Sequence, residues 1–214
     1  MLRTKGVLLD LDGTIVDSTE AYLEAAKTAF HAIGQTLPTH ETALEIPKRL
    51  EQGFPMSDLT NGFSKKFLSV YLKTYYSITR EKTKLIPNVT SALEALSKKN
   101  KLALITMRKV PKQAIMKELE FFGISKYFAY FATAMDSFKP KPSPEAVLTC
   151  LAALDLKNSD CIIAGDSVND VRAGKAACVM TVAVLSGLYN SEELSKEKPD
   201  FILNDVTALS DLIE

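Results

Sequence analysis

Two hundred and fourteen residues hold 26 basic and 26 acidic side chains, 46% apolar residues and only 9 Gly and 9 Pro, a composition that excludes disordered and fibrous chains. A formal net charge of zero removes the concentrated positive field by which a protein grips nucleic-acid phosphates or an anionic membrane, and leaves chemistry on a small molecule as the expectation. Cys150, Cys161 and Cys178 show neither disulfide nor metal-ligand spacing, and Asp10 cuts the N-terminal apolar run short, so a cytoplasmic enzyme with buried thiols and no targeting or membrane-spanning segment is expected.

In chain order, the apolar run at 7–11 reads as a buried parallel strand that ends in Asp and Gly at the edge of a sheet. From residue 16 to residue 83 no strand candidate stands out. Asp17 with Glu20 reads as a capping box, and Tyr22, Leu23, Ala26, Ala29, Phe30 and Ile33 follow at helical spacing until Gly34. Amphipathic helices are expected at 41–52 and 64–79, with loops at Pro38 and at 53–55. Beyond residue 83 the pattern alternates: helices at 89–99, 111–122, 144–154, 169–177 and 206–213 separate apolar strands at 102–106, 128–133, 161–164 and 179–185, with a short edge strand at 200–203. Alternation of this kind builds right-handed crossovers, hence an α/β fold with a doubly wound parallel sheet. The expected organisation is an α/β core of residues 1–15 and 84–214, interrupted by a helical insert at 16–83.

Four segments at strand ends carry the candidate chemistry. Asp10 and Asp12 lie two residues apart where the first strand reaches the edge at which open α/β sheets bind ligands. Carboxylates that close need a cation or a shared proton. Thr106 places a hydroxyl at the end of a second strand, and Lys141 sits in Lys139-Pro140-Lys141-Pro142-Ser143-Pro144, where the prolines stiffen the entry to a helix. Asp166 and Asp170 bracket the turn after another strand. Singly, these are ordinary: Asp and Gly end strands for turn reasons, Thr is a common strand residue, and a loop lysine is usually solvated. Gathered at one sheet edge, they make an acidic, magnesium-suited pocket with one hydroxyl and one cation for a phosphate.

On these motifs, DLDGT at 10–14, Thr106, KPSP at 141–144 and GDSVNDVRAGKAA at 165–177, the chain resembles the haloacid dehalogenase-like phosphohydrolases, in particular the phosphoglycolate phosphatase and β-phosphoglucomutase branch with a helical cap after the first strand. The resemblance implies a Mg²⁺-dependent phosphatase acting on a small phosphorylated metabolite through a phosphoaspartate. Asp10 would be the nucleophile and Asp12 the acid/base. Mg²⁺ would be held by the Asp10 carboxylate, the Asp12 backbone carbonyl and Asp166, with Asp170 supporting them from behind. Thr106 and Lys141 would hold phosphoryl oxygens, joined by amides near Gly13 and Met107, while Thr14 would support the loop.

Two positions blur the pattern. Lys139 also precedes a proline, although the KPxP spacing favours Lys141; Arg108, after Met107, reads equally as a substrate contact or a surface ion pair. The cap would select the leaving group, with Lys48, Arg49, Lys65, Lys66 and Arg80 as available anchors and none assigned. A sugar-phosphate mutase shares every core residue, whereas a receiver-like phospho-acceptor needs neither Asp12 nor the insert. No nucleic-acid or membrane partner is expected, and the oligomeric state is left open.

Overall fold

The computed structural model describes residues 2–36, 39–136 and 139–213. The chain runs β1 (Gly6–Leu9), β2 (Val16–Asp17), α1 (Thr19–Ala32), α2 (His40–Gln52), α3 (Ser57–Thr60), α4 (Ser64–Lys82) and β3 (Lys84–Leu85). It continues through α5 (Val89–Ser97), β4 (Lys101–Thr106), α6 (Lys112–Phe121), β5 (Phe128–Thr133), α7 (Glu145–Leu154) and β6 (Cys161–Gly165), then α8 (Val168–Ala176), β7 (Met180–Val184), α9 (Ser191–Lys196), β8 (Phe201–Leu203) and α10 (Leu209–Leu212). Two compact units result, Met1–Asp17 with Leu85–Glu214, and Ser18–Lys84.

In the first unit six parallel strands lie in the order β5-β4-β1-β6-β7-β8, the doubly wound sheet expected from the sequence. Alternate residues feed its two faces. Val7, Leu9, Leu102 and Leu104 pack with Leu93 of α5 and with Ile115 and Leu119 of α6. Leu8, Ala103 and Ile105 pack with Val147 and Leu151 of α7 and Ala173 of α8. At roughly 1.5–3 kcal/mol for each fully buried aliphatic side chain, these layers outweigh the exposed ion pairs. From β1 the chain winds outward to β5, then returns to β1's other side at β6 and winds outward to β8. At such a reversal the loops after neighbouring strands part and leave a crevice at the strands' carboxyl ends. The loops after β1 and β6 flank that crevice.

The second unit is a bundle built on α1 and α4. Phe67, Tyr71 and Tyr75 recur every fourth residue on α4 and are buried. Tyr22 stacks on Tyr75 at 5.1 Å and Phe30 meets Phe67 edge-on at 4.8 Å, while the buried alanines Ala21, Ala25, Ala26 and Ala29 let the helices approach. Among the described residues, no helix is long and apolar enough to cross a membrane.

Several local expectations change. Ser18, not Asp17, caps α1, because Asp17 belongs to β2; Glu20 instead pairs with Lys82 at 2.8 Å. β1 stops at Leu9 because Leu11 turns its carbonyl back to accept from the amides of Thr14, Ile15 and Val16. The helix expected at 206–213 is a 3₁₀ turn, Val206–Ala208, followed by one turn of α10. Cys178 is exposed, unlike Cys150 and Cys161. The short elements β2, β3, α3 and α9 went unread because two to six residues carry no measurable period. The loop expected at Pro38 lies outside the described residues.

Candidate active site

Asp10 follows β1 directly and keeps the sheet's register, its N–H donating to the Ala164 carbonyl at 3.0 Å. The side chain is buried, and Oδ1 accepts from Lys141 Nζ at 2.7 Å. That ammonium, 2% exposed, also donates to Asp170 Oδ1 at 2.5 Å and makes a longer contact, 3.4 Å, to the Ile105 carbonyl. Asp170 spends its other oxygen on the entry to α8. Oδ2 accepts from the Ser167 amide at 3.1 Å and hydroxyl at 2.8 Å, while Ser167 Oγ accepts from the Asp170 amide, a reciprocal cap. The Ser-x-x-Asp spacing at 167–170 carried this signal in the sequence.

Asp166 follows β6 and is held from two loops. Thr14 Oγ1 donates to Oδ1 at 3.2 Å and the Leu188 amide to Oδ2 at 3.3 Å. Ser186, in the loop after β7, donates to the Gly13 carbonyl at 2.7 Å and ties the two loops together. Two glycines permit this approach. Gly13 has φ +76, where a side chain is strained, and a Cβ on Gly187 would sit 1.7 Å from Asp166 Oδ2. The loop of Ser186, Gly187 and Leu188 was missed from sequence, since nothing in its composition distinguishes it from a connection.

Asp10, Asp166 and Asp170 each offer an oxygen, and these lie within 4.8 Å of one another in buried surroundings. Three carboxylates facing one ammonium leave an excess of two negative charges. Burial pushes the Asp10 carboxyl from 3.8 up to about 7; Lys141 pulls the other way, and Asp170 adds to the rise. Burial pulls Lys141 down, but Asp10 and Asp170 outweigh it and hold the ammonium above its ordinary value. The donor set fits a hard divalent cation. It is all oxygen, it lacks two positive charges, and oxygens on one octahedral Mg²⁺ at about 2.1 Å lie roughly 3–4 Å apart.

Asp12 stands apart from that cluster. Arg108 grips it with a fork, Nε to Oδ2 at 2.8 Å and Nη2 to Oδ1 at 2.6 Å, and directs Nη1 to both oxygens of Glu118 at 2.8 and 2.7 Å. Arg108 is therefore no surface ion pair, since its side chain is 4% exposed. Thr106 ends β4 with its hydroxyl oxygen accepting from the Arg108 amide at 3.1 Å, and Met107 between them is half-buried. Lys139 is exposed, with its amide on Glu145 Oε2 at 2.7 Å, so Lys141 and not Lys139 joins the carboxylates. Within the helical unit, Arg49 is engaged by Asp58 at 2.7 Å.

A family model described as haloacid dehalogenase-like hydrolase matches residues 7–184. The chain is 28% identical to a phosphoglycolate phosphatase of Vibrio parahaemolyticus, over 98% of this chain and 96% of the relative. It is 26% identical to the pyrophosphatase PpaX of Bacillus velezensis, over 97% of this chain and 95% of that one. Among solved structures, a haloacid dehalogenase-like hydrolase from Streptococcus pneumoniae superposes with a TM-score of 0.83 at 20% identity, covering 98% of each chain.

Proposed function

The chain belongs to the haloacid dehalogenase-like hydrolase family, and from that premise we propose that it is a Mg²⁺-dependent phosphatase that hydrolyses a small phosphorylated metabolite through a phosphoaspartate on Asp10. The observation that carries this reading is the meeting of Asp10, Asp166, Asp170 and Lys141 in one buried cluster at the reversal point of the sheet. Phosphoryl transfer needs an in-line nucleophile, a proton for the leaving oxygen and positive charge around the equatorial oxygens. Asp10 supplies the nucleophile. Lys141 holds that carboxylate oriented, and among the described residues two of its three protons meet carboxylates while the third makes the long 3.4 Å contact to Ile105, which leaves that proton for a phosphoryl oxygen. The Thr106 hydroxyl oxygen accepts from the Arg108 amide, and its proton would be donated to a second phosphoryl oxygen.

Asp12, whose side chain is 14% exposed against 7% for Asp10, would protonate the departing oxygen and then take a proton from the attacking water. The Asp10 and Asp166 carboxylates, with the Asp12 carbonyl, would hold Mg²⁺, and Asp170 would brace Lys141 and the helix entry. Bound there, the cation would offset charge on the phosphoryl oxygens. Relatives named for phosphoglycolate and for pyrophosphate support small anionic phosphates as the substrate class. Inorganic phosphate release from a panel of phosphoglycolate, sugar phosphates, nucleotides and pyrophosphate, with and without Mg²⁺, tests the reading. No release from any member would sink it.

Two expectations concern the metal. Excess EDTA should eliminate turnover and Mg²⁺ restore it, whereas Ca²⁺, larger and tolerant of more ligands, should inhibit by distorting in-line geometry. Full activity in EDTA would contradict the site. Gly187→Ala should push Asp166 off its two donors, raising the Mg²⁺ concentration for half-maximal activity by about 10–100-fold, the usual scale for disturbing a ligand's support. A Mg²⁺ titration of the rate measures this, and an unchanged midpoint would show that the loop yields instead.

A further inference from the structure

Resting on the reading of Asp12 as the acid/base, we propose that Arg108, fixed by Glu118, is a positioning residue that orients the Asp12 carboxylate for proton transfer to the leaving oxygen. Asp12 lies beyond the end of β1, in the turn that Gly13 bends with φ +76, so the strand itself does not set its side chain. The guanidinium does. Nε and Nη2 take one oxygen of Asp12 each, which fixes the plane of the carboxylate as well as its position.

The guanidinium is itself held from several directions. Nη1 reaches both oxygens of Glu118, and Glu118 rides on α6, whose Ile115 and Leu119 are anchored in the core. The Arg108 backbone is tied at both ends, its N–H to Thr106 Oγ1 at 3.1 Å and its carbonyl accepting from the Ala134 amide at 3.2 Å. A rigid path therefore runs from the core through Glu118 and Arg108 to Asp12.

Stability alone is a weak reason for this arrangement. A buried ion network is often no more stabilising than apolar residues of the same volume, because desolvation offsets the attraction. Glu118 by itself would neutralise Arg108; the fork to Asp12 adds geometry at a reacting group. A lysine supplies one point charge and cannot reproduce the fork to Asp12 while also reaching Glu118. Misplacing a reacting group by 1 Å costs on the order of 100-fold in rate.

The test measures single-turnover phosphoryl transfer from an alkyl phosphate and from p-nitrophenyl phosphate, whose leaving group needs little proton assistance, in Asp12→Ala, Arg108→Lys and the double variant Arg108→Met with Glu118→Gln. The double variant removes the buried charges of Arg108 and Glu118 together, so that only the partly exposed Asp12 carboxylate loses its fork, and Arg108→Lys keeps the charge should the double variant fail to fold. We expect the alkyl rate in the Arg108 variants to fall about 100-fold with KM within about threefold, and the aryl rate to fall by less than about fivefold. A merely structural role would lower both rates together, in step with the folded fraction. If Asp12→Ala spares the aryl ester and the Arg108 variants do not, this proposal fails alone. If Asp12→Ala itself shows no such selectivity, the acid/base reading fails and takes the proposal with it.

Discussion

Asp10→Asn is expected to lose at least about four orders of magnitude in turnover, on the scale of nucleophile removal in other covalent enzymes, while melting no lower than the parent in metal-free buffer. An amide matches the carboxylate in shape but is no competent nucleophile. The stability half follows from burial. The folded-state value of Asp10 is raised from 3.8 to about 7, so the folded protein holds a proton there that the unfolded chain releases. Stability tied to this group is therefore present below the unfolded value and falls as pH rises through the interval from 3.8 to about 7. Above that interval the ionised carboxylate crowds Asp166 and Asp170, and the amide removes the crowding while Asp170 remains to pair Lys141. Thermal melts in EDTA should show the variant gaining on the parent more at pH 8 than at pH 5. Residual activity within about tenfold of the parent would contradict the nucleophile assignment, and a lower melt at pH 8 would mean that the lost pairing to Lys141 outweighs the relieved repulsion.

Asp12→Ala should separate two steps of the reaction. Alkyl phosphates, whose alkoxides leave badly without a proton, should lose on the order of 100- to 10,000-fold in the first step. An aryl ester such as p-nitrophenyl phosphate should be partly spared there. Because the same carboxylate would activate water for the second step, phosphoenzyme should then accumulate, seen as a burst of p-nitrophenol before slow turnover. Equal losses on both esters with no burst would mean that Asp12 chiefly shapes the loop around Gly13.

What was legible in the sequence has a physical pattern. The sheet could be read because its central strands are apolar on both faces, and three of them end at a polar residue where the chain leaves the core: Asp10, Thr106 and Asp166 mark the ends of β1, β4 and β6. Lys141 was placed by the prolines around it, and burial separates it from exposed Lys139. The Arg108 network could not be read. Its partners lie 96 and 10 residues away, and no local spacing distinguishes a guanidinium turned inward from one in solvent. The reach of Ser186 and Leu188 to the Asp166 turn was hidden for the same reason, being a tertiary contact between loops. The Asp17 capping box failed because a short strand claimed that residue, which moved the start of α1 on to Ser18 and Thr19.

The central claim is a covalent phosphoryl group on Asp10, and the most direct measurement is to trap it. Asp12→Ala would be mixed with a ³²P-labelled aryl phosphate and Mg²⁺, quenched in acid within the burst, digested, and the labelled peptide identified by mass spectrometry. The account predicts an acid-stable, hydroxylamine-labile label on the peptide containing Asp10, absent when Asp10→Asn is introduced as well. A burst of p-nitrophenol with no labelled protein, or a label on a peptide without Asp10, would contradict it.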